Sequence, residues 1–414
     1  MKLRLPLLAL LPALLLSSVA LAKPEPLLYG YSDTLASKVY QSERRWMLSL
    51  PERYHATQDS GRRYPVLYIV DADFQFRHVS AAVNNLARMG KIPPMIVVGI
   101  AMQGQKDYLY STTWPSAEGA DFGGSDKMLT HLQQELVPYI DKHYRTSGHN
   151  ALAGYSLGGL LSLQMMLQSK SPFSAFLAMS PSIWYDNMAL LERAAPWLKQ
   201  PRQTSAYPRL FLSLANEQGM GVDEFRKLLA EQAPEWHFDY RFFPSETHYS
   251  TAMPALLAGL ESLTPGYFTD VGPLLQLGDY EAVLAHFEAK KTLWSGFHFD
   301  WLQAYTLGKY LYYSEQKSKM AEVLALAKKQ FPEDLAELSA GFAKVLNNRG
   351  EFKLAKELLL MTSKAGATQA DWQQQLSLAL AAEGDSLGAK AAHAKALELA
   401  EAHQLESWEW WELQ

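Results

Sequence analysis

The chain has no cysteine among its 414 residues. That excludes disulfide staples, thiol catalysis, cysteine metal sites and a lipid-modified N-terminal cysteine. It has no excess of positive charge either, with 38 Lys and Arg against 43 Asp and Glu, a formal charge of -5 and no basic cluster. Nucleic acid is therefore not an expected partner. The 11 histidines are scattered, without H-E-x-x-H or a close pair at ligand spacing, so neither a metal nor a cofactor is expected. Past the first residues, no stretch is long and apolar enough to span a bilayer.

The N-terminus is where apolar residues concentrate. Met1-Lys2-Leu3-Arg4, an apolar run through Leu16, and Ala20-Leu21-Ala22 have the three-part layout of a secretory signal peptide, with cleavage expected after Ala22. The apolar core is short and holds Pro6 and Pro12, which argues against a retained anchor. A periplasmic or secreted protein with no stable membrane span after cleavage is expected. The remaining residues are too many for one small core and suggest two domains. Without cysteine, an exported chain is held by its core alone.

Residues 33–41 and 44–51 alternate like two antiparallel strands joined at Ser42-Glu43. Residues 64–70 form a nearly continuous apolar run, the pattern of a strand covered on both faces, ending at Asp71-Ala72-Asp73-Phe74. A helix over 78–89, a strand over 95–101 and a helix carrying Leu129, Leu132, Leu136 and Ile140 follow. Further strands are expected at 175–179, 209–215 and 236–243, with a helix at 222–232 between the last two. Strands alternating with helices imply a parallel sheet. The segment 102–125 is rich in Gly, Ser and aromatics and has no clear period. Leaving the C-terminal end of a parallel strand, it is placed to wall a site.

The most informative stretch is Gly154-Tyr155-Ser156-Leu157-Gly158, with a short apolar strand before it and an apolar helix after. A serine that projects its hydroxyl from a sharp strand-to-helix turn needs small neighbours two positions to either side. Ser156 is thus the candidate nucleophile. A serine hydroxyl needs a base, and the base needs a group that fixes its tautomer. In the α/β-hydrolase order of serine, acid and histidine at successive strand ends, these fall at Ser156, Glu217 and His248. Asp223 and Glu246 lie close enough to compete as the acid. The oxyanion donors are expected to be the backbone N–H of Leu157 and, from the loop after residue 70, Asp73. Phe74, Tyr155 and Trp184 are candidate substrate-binding aromatics; Trp184 equally suits packing.

Together Y-P-V-L-Y-I-V-D-A-D from Tyr64, E-L-V-P-Y-I-D-K-H-Y-R-T from Glu135, G-Y-S-L-G-G from Gly154 and S-P-S-I-W-Y-D from Ser180 carry a resemblance. The chain resembles the esterase D-like branch of the α/β-hydrolases, and within it the trilactone siderophore esterase-like proteins. The resemblance implies a mostly parallel sheet with helices on both faces, and hydrolysis of a small-molecule carboxylic ester or thioester through an acyl-enzyme. Ala72 stands where a glycine is common in the oxyanion loop, and Thr247 precedes the histidine. Acyl transfer to another alcohol would use the same residues.

After Thr264-Pro265-Gly266 the strand pattern stops. Turn-like pairs at Gly278-Asp279, Gln316-Lys317, Gly350-Glu351 and Gly384-Asp385 recur at 38, 34 and 34 residues, similar to degenerate tetratricopeptide repeats. The expected organisation is a signal peptide over 1–22, a hydrolase domain over 23–268 and an all-α helical-repeat domain over 269–414. Such a layer binds a protein or peptide partner or docks on the hydrolase. A non-catalytic scaffold that works through the repeat is the competing reading. Trp408, Trp410 and Trp411 are expected to cap the last helix pair.

Overall fold

The structure, a computed structural model, describes residues 28–414 apart from 58–60, 118, 201–202 and 204–206. The expected signal peptide lies outside the described residues. Eight strands form one sheet: β1 (Tyr31–Ser37), β2 (Ser42–Ser49), β3 (Tyr64–Val70), β4 (Ile96–Ile100), β5 (Thr146–Tyr155), β6 (Ala175–Met179), β7 (Arg209–Ala215) and β8 (Asp239–Phe243). Their spatial order is β1-β2-β4-β3-β5-β6-β7-β8. β1 and β2 are antiparallel to their neighbours, and every pairing from β4 to β8 is parallel.

The continuous apolar runs explain the middle of this sheet. Every residue of β3, β4 and β6 is buried. Along β3 the side chains alternate between two cores. Val66, Tyr68 and Val70 enter the larger one, and Leu67 and Ile69 enter the other. Helices α1 (Ala72–Arg88) and α8 (Ala252–Leu263) cover the face of Leu67. The opposite face is covered by α3 (Ser125–His131), α4 (Val137–His143), α5 (Leu157–Met166), α6 (Tyr185–Leu198) and α7 (Val222–Gln232).

Several boundaries differ from the sequence pattern. The first turn lies at residues 38–41 rather than at Ser42-Glu43, with Gln41 at φ 56°. Polar residues alternate through both strands and the turn, so the pattern alone does not locate it. The helix after β3 begins at Ala72, immediately after Asp71 takes a left-handed conformation. Segment 102–125 contains a short helix, α2 (Gln105–Thr112), which has no strong apolar stripe: the residues it buries, Ser111 and Thr112, are polar. The expected helix with Leu129 and Ile140 forms, but a π turn over Leu132–Leu136 joins α3 to α4. Pro138, just beyond, has no N–H to offer a helical partner. β8 begins only at Asp239, and Trp236 is buried in the core instead.

The C-terminal region is helical throughout. It comprises α9 (Val271–Leu277), α10 (Tyr280–Ala289), α11 (Trp301–Tyr313), α12 (Met320–Gln330), α13 (Leu335–Asn347), α14 (Phe352–Met361), α15 (Ser363–Gly366), α16 (Ala370–Ala382), α17 (Ser386–Ala402) and α18 (Ser407–Glu412), with short 3-10 turns between some of them. Leu307, Phe342, Leu346 and Leu358 help form a core separate from the two beside the sheet. The turn-like pairs of the sequence fall at or beside helix starts. Asp279 and Asp385 cap α10 and α17 by accepting N–H bonds from Ala282 and Gly388.

This region docks on the N-terminal ends of the parallel strands. Trp294 Nε1 donates to Ser174 Oγ at 2.9 Å, just before β6, and Arg62 meets Asp300 at 2.7 Å, just before β3. Arg53, after β2, is held by Glu337 at 2.6 Å, Asp371 at 3.0 Å and Glu409. The tail does more than cap the last helix pair. Trp410 and Leu413 pack beside Ala396 and Leu399, while Trp408 reaches Trp301 with ring centroids 5.9 Å apart. Among the described residues no helix is long and apolar enough to cross a membrane.

Candidate active site

The C-terminal ends of β5, β7 and β8 converge on one edge of the sheet. Ser156 follows β5 at φ 58° and ψ -123°, a conformation that costs a non-glycine residue on the order of 1–3 kcal/mol. Packing enforces it. A Cβ on Gly154 would lie 2.0 Å from the Gly158 carbonyl oxygen, so only glycine lets the end of β5 and the start of α5 meet. The strain lifts the Ser156 hydroxyl clear of the sheet at the first turn of α5, where backbone N–H groups lack helical partners.

The His248 ring bridges the serine and an acid. Its Nε2 is 3.0 Å from Ser156 Oγ and its Nδ1 is 2.8 Å from Glu217 Oε2. Glu217 is nearly buried and sits just past β7. The loop holding it is tied to that of His248, since Asn216 N–H donates to the Glu246 carbonyl at 2.9 Å. Glu246 thus contributes its backbone to this tie. Asp223 pairs instead with Arg226 at 3.0 Å on the surface of α7, where its side chain is 67 % exposed. Of the three carboxylates in competition, Glu217 is the one in contact with the imidazole.

The other expected residues take varied positions. Tyr155 lies against the imidazole with ring centroids 5.0 Å apart, and its hydroxyl donates to the His248 carbonyl. It therefore steadies the histidine. Asp73, in the first turn of α1, uses its side chain to pair with Arg45 and to accept the Met102 N–H at 2.9 Å. Phe74 is 67 % exposed and Trp184 is 41 % exposed. A cleft of about 640 Å³ opens here, walled by Asp73, Phe74, Arg45, Met102, Gln103 and Tyr108. Burial, reinforced by the charge of Asp73, pushes the Asp71 carboxyl at its base up to about 6.

Two neighbours of Ser156 were not singled out from the sequence as site residues. Ser182 Oγ lies 3.2 Å from Ser156 Oγ, and its N–H donates to the Ser156 carbonyl at 3.1 Å. Tyr108, from α2, sets its hydroxyl at the first turn of α5, where Gly158 N–H donates to it at 3.2 Å. The S-P-S segment after β6 could have pointed to Ser182. Tyr108 is one tyrosine in an aperiodic segment, with no signal of its own. Among the described residues no group of three His, Asp or Glu is arranged to hold a metal.

A serine hydroxyl, an imidazole and a carboxylate in hydrogen-bond sequence beside helical N–H groups are an arrangement that acyl transfer can use. The comparisons point the same way. The family described as "Putative esterase" matches residues 37–249. Ferri-bacillibactin esterase BesA of Bacillus subtilis is 27% identical over 224 residues, covering 47% of this chain and 76% of the relative. The uncharacterized protein YbbA of the same organism is 26% identical over 202 residues, with the same 47% and 76% coverage. An IroE-like serine hydrolase from Shewanella oneidensis superposes with a TM-score of 0.61 at 22% identity, covering 72% of this chain and 99% of that one. The siderophore hydrolase EstA from Aspergillus nidulans gives a TM-score of 0.51 at 21% identity, covering 57% of this chain and 96% of its own. These two structures share the fold. With its catalytic-edge geometry and a family match over half its length, the chain belongs to the esterase family and is an esterase.

Proposed function

We propose that the protein is an exported serine esterase that cleaves carboxylic esters through an acyl-enzyme, with Ser156 as nucleophile, His248 as general base and Glu217 as the acid that orients it. The observation that carries this reading is the continuous chain Ser156 Oγ, His248 Nε2, His248 Nδ1, Glu217 Oε2, with contacts of 3.0 and 2.8 Å. In the first half-reaction Ser156 Oγ bonds to the ester carbonyl carbon while its proton passes to His248 Nε2. The carbonyl electron pair moves to oxygen and is met by the N–H groups of Leu157 and Asp73. Collapse expels the alcohol, which takes the proton from His248. Water then repeats the sequence and frees the acid.

The substrate class we infer is a siderophore joined by ester bonds, on the strength of the names of the relatives and of a wide, aromatic-rimmed cleft. The signal-like residues 1–22 support export, and the helical region is read as a tetratricopeptide-like layer. Incubating a ferric trilactone siderophore with the wild type and with Ser156→Ala, and separating the products chromatographically, tests the proposal. Stepwise opening of the ester ring by the wild type alone is expected. An intact ring after incubation with folded wild type would remove the siderophore assignment, and ring opening by Ser156→Ala would remove the nucleophile.

A further inference from the structure

One N–H group at the start of α5, beside the place where an oxyanion would settle, already has a side-chain partner. Tyr108 brings its phenolic oxygen there. Gly158 N–H donates to it at 3.2 Å, one residue beyond the Leu157 N–H. Its own proton is turned to the Tyr155 carbonyl at a long 3.3 Å. Both measured contacts are at the weak end of hydrogen-bond geometry. A substrate carbonyl can therefore shift the phenol from the Gly158 N–H at little cost.

The helix that carries Tyr108 is not a loose flap. Asp107, the preceding residue, is paired with buried Arg44 at 2.8 Å and accepts both the Gln103 N–H at 2.8 Å and the Ser111 hydroxyl at 2.9 Å. At the far end of α2, Gln164 Nε2 donates to the Thr112 carbonyl at 2.8 Å. The α2 backbone is thus fixed to the sheet and to α5, and the freedom left to Tyr108 is rotation of its side chain. With the backbone fixed, the hydroxyl need only turn to meet developing charge, which keeps the reorganisation small.

We propose that Tyr108 is a third oxyanion donor. In the resting enzyme its oxygen accepts the Gly158 N–H, and in the tetrahedral state its O–H leaves the Tyr155 carbonyl and turns onto the substrate oxyanion. The inference rests on Ser156 being the nucleophile. No proton is transferred by Tyr108 at any step: it donates a hydrogen bond while charge sits on the substrate oxygen and returns to Tyr155 when the carbonyl re-forms. Burial pushes the Tyr108 hydroxyl up to about 12, so it remains a protonated donor across the working range of an esterase.

The test is steady-state hydrolysis of p-nitrophenyl butyrate by the wild type, Tyr108→Phe and Ser156→Ala. It is paired with the rate at which a fluorophosphonate modifies each protein. Phenylalanine keeps the ring and removes only the hydroxyl. Loss of a third donor is expected to lower kcat by about 10–100-fold while KM changes by less than about threefold, at or below the loss seen for one main oxyanion donor. Phosphonylation should slow in parallel, because it too places charge on an oxygen at this site. An unchanged or increased kcat in Tyr108→Phe, with Ser156→Ala inactive, overturns the inference and makes the phenol a simple plug. Full activity in Ser156→Ala would instead overturn the nucleophile assignment, so the two failures are read apart.

Discussion

Glu217 and Asp223 are six residues apart, yet only the first can hold an imidazole. Glu217 reaches His248 at 2.8 Å from a nearly buried position, whereas Asp223 spends its charge on Arg226 at the surface. Glu217→Gln keeps the shape but presents a group that no longer fixes the tautomer, and should lower kcat by about 10²–10⁴-fold. Asp223→Asn should leave kcat within about twofold, as surface substitutions away from a site do. Steady-state kinetics on the two variants decides between them, and equal losses would contradict the assignment of the acid. That Ser156, Glu217 and His248 come together was legible in the sequence, because each stands just after a strand of the sheet in the order serine, acid, histidine. Tyr108 and the steadying contact of Tyr155 were not. A hydroxyl brought in from an aperiodic segment depends on where α2 folds, and no residue pattern records that.

Among the elements, the turn from β5 into α5 carries the tightest constraint. Gly154→Ala would push a Cβ to 2.0 Å from a backbone oxygen that cannot retreat without moving α5. We predict that this variant loses more than about 3 kcal/mol of stability, measured by denaturant unfolding, or fails to accumulate as folded protein. A variant with wild-type stability would contradict the steric reading of the turn. The central strands were readable because burial on both faces leaves no polar positions, so β3, β4 and β6 appear as plain apolar runs. Boundaries set by backbone geometry were less so. The turn at residues 38–41 and the π turn at Leu132–Leu136 fall inside stretches whose apolar spacing runs on regardless.

At the scale of the whole molecule, the helical region covers the end of the sheet opposite Ser156. Its docking turns on Arg53, a single guanidinium among Glu337, Asp371 and Glu409. Removing it in Arg53→Ala leaves buried carboxylates unpaired and should cost about 3–5 kcal/mol. With more carboxylates than cations in one buried place, burial pushes Glu337 up to about 7, against the pull of Arg53 and with the push of Asp371 and Asp300, and burial likewise raises Glu409. An acid whose folded pKa is raised binds more protons folded than unfolded, so stability should fall as pH rises from the ordinary glutamate range to about 7. Thermal midpoints across that window should decline in the wild type and decline less in Glu337→Gln; identical slopes would contradict this reading. The existence of a helical appendage was legible from its turn spacing, but which end of the sheet it covers was not, since that choice rests on contacts such as Trp294 with Ser174 across 120 residues. The most direct measurement for the molecule as a serine esterase is intact mass after exposure to a fluorophosphonate, run on the wild type, Ser156→Ala and His248→Ala. One adduct on the wild type, absent from both variants at the same exposure, is predicted. An unmodified wild type that is correctly folded, or an adduct that persists in Ser156→Ala, would contradict it.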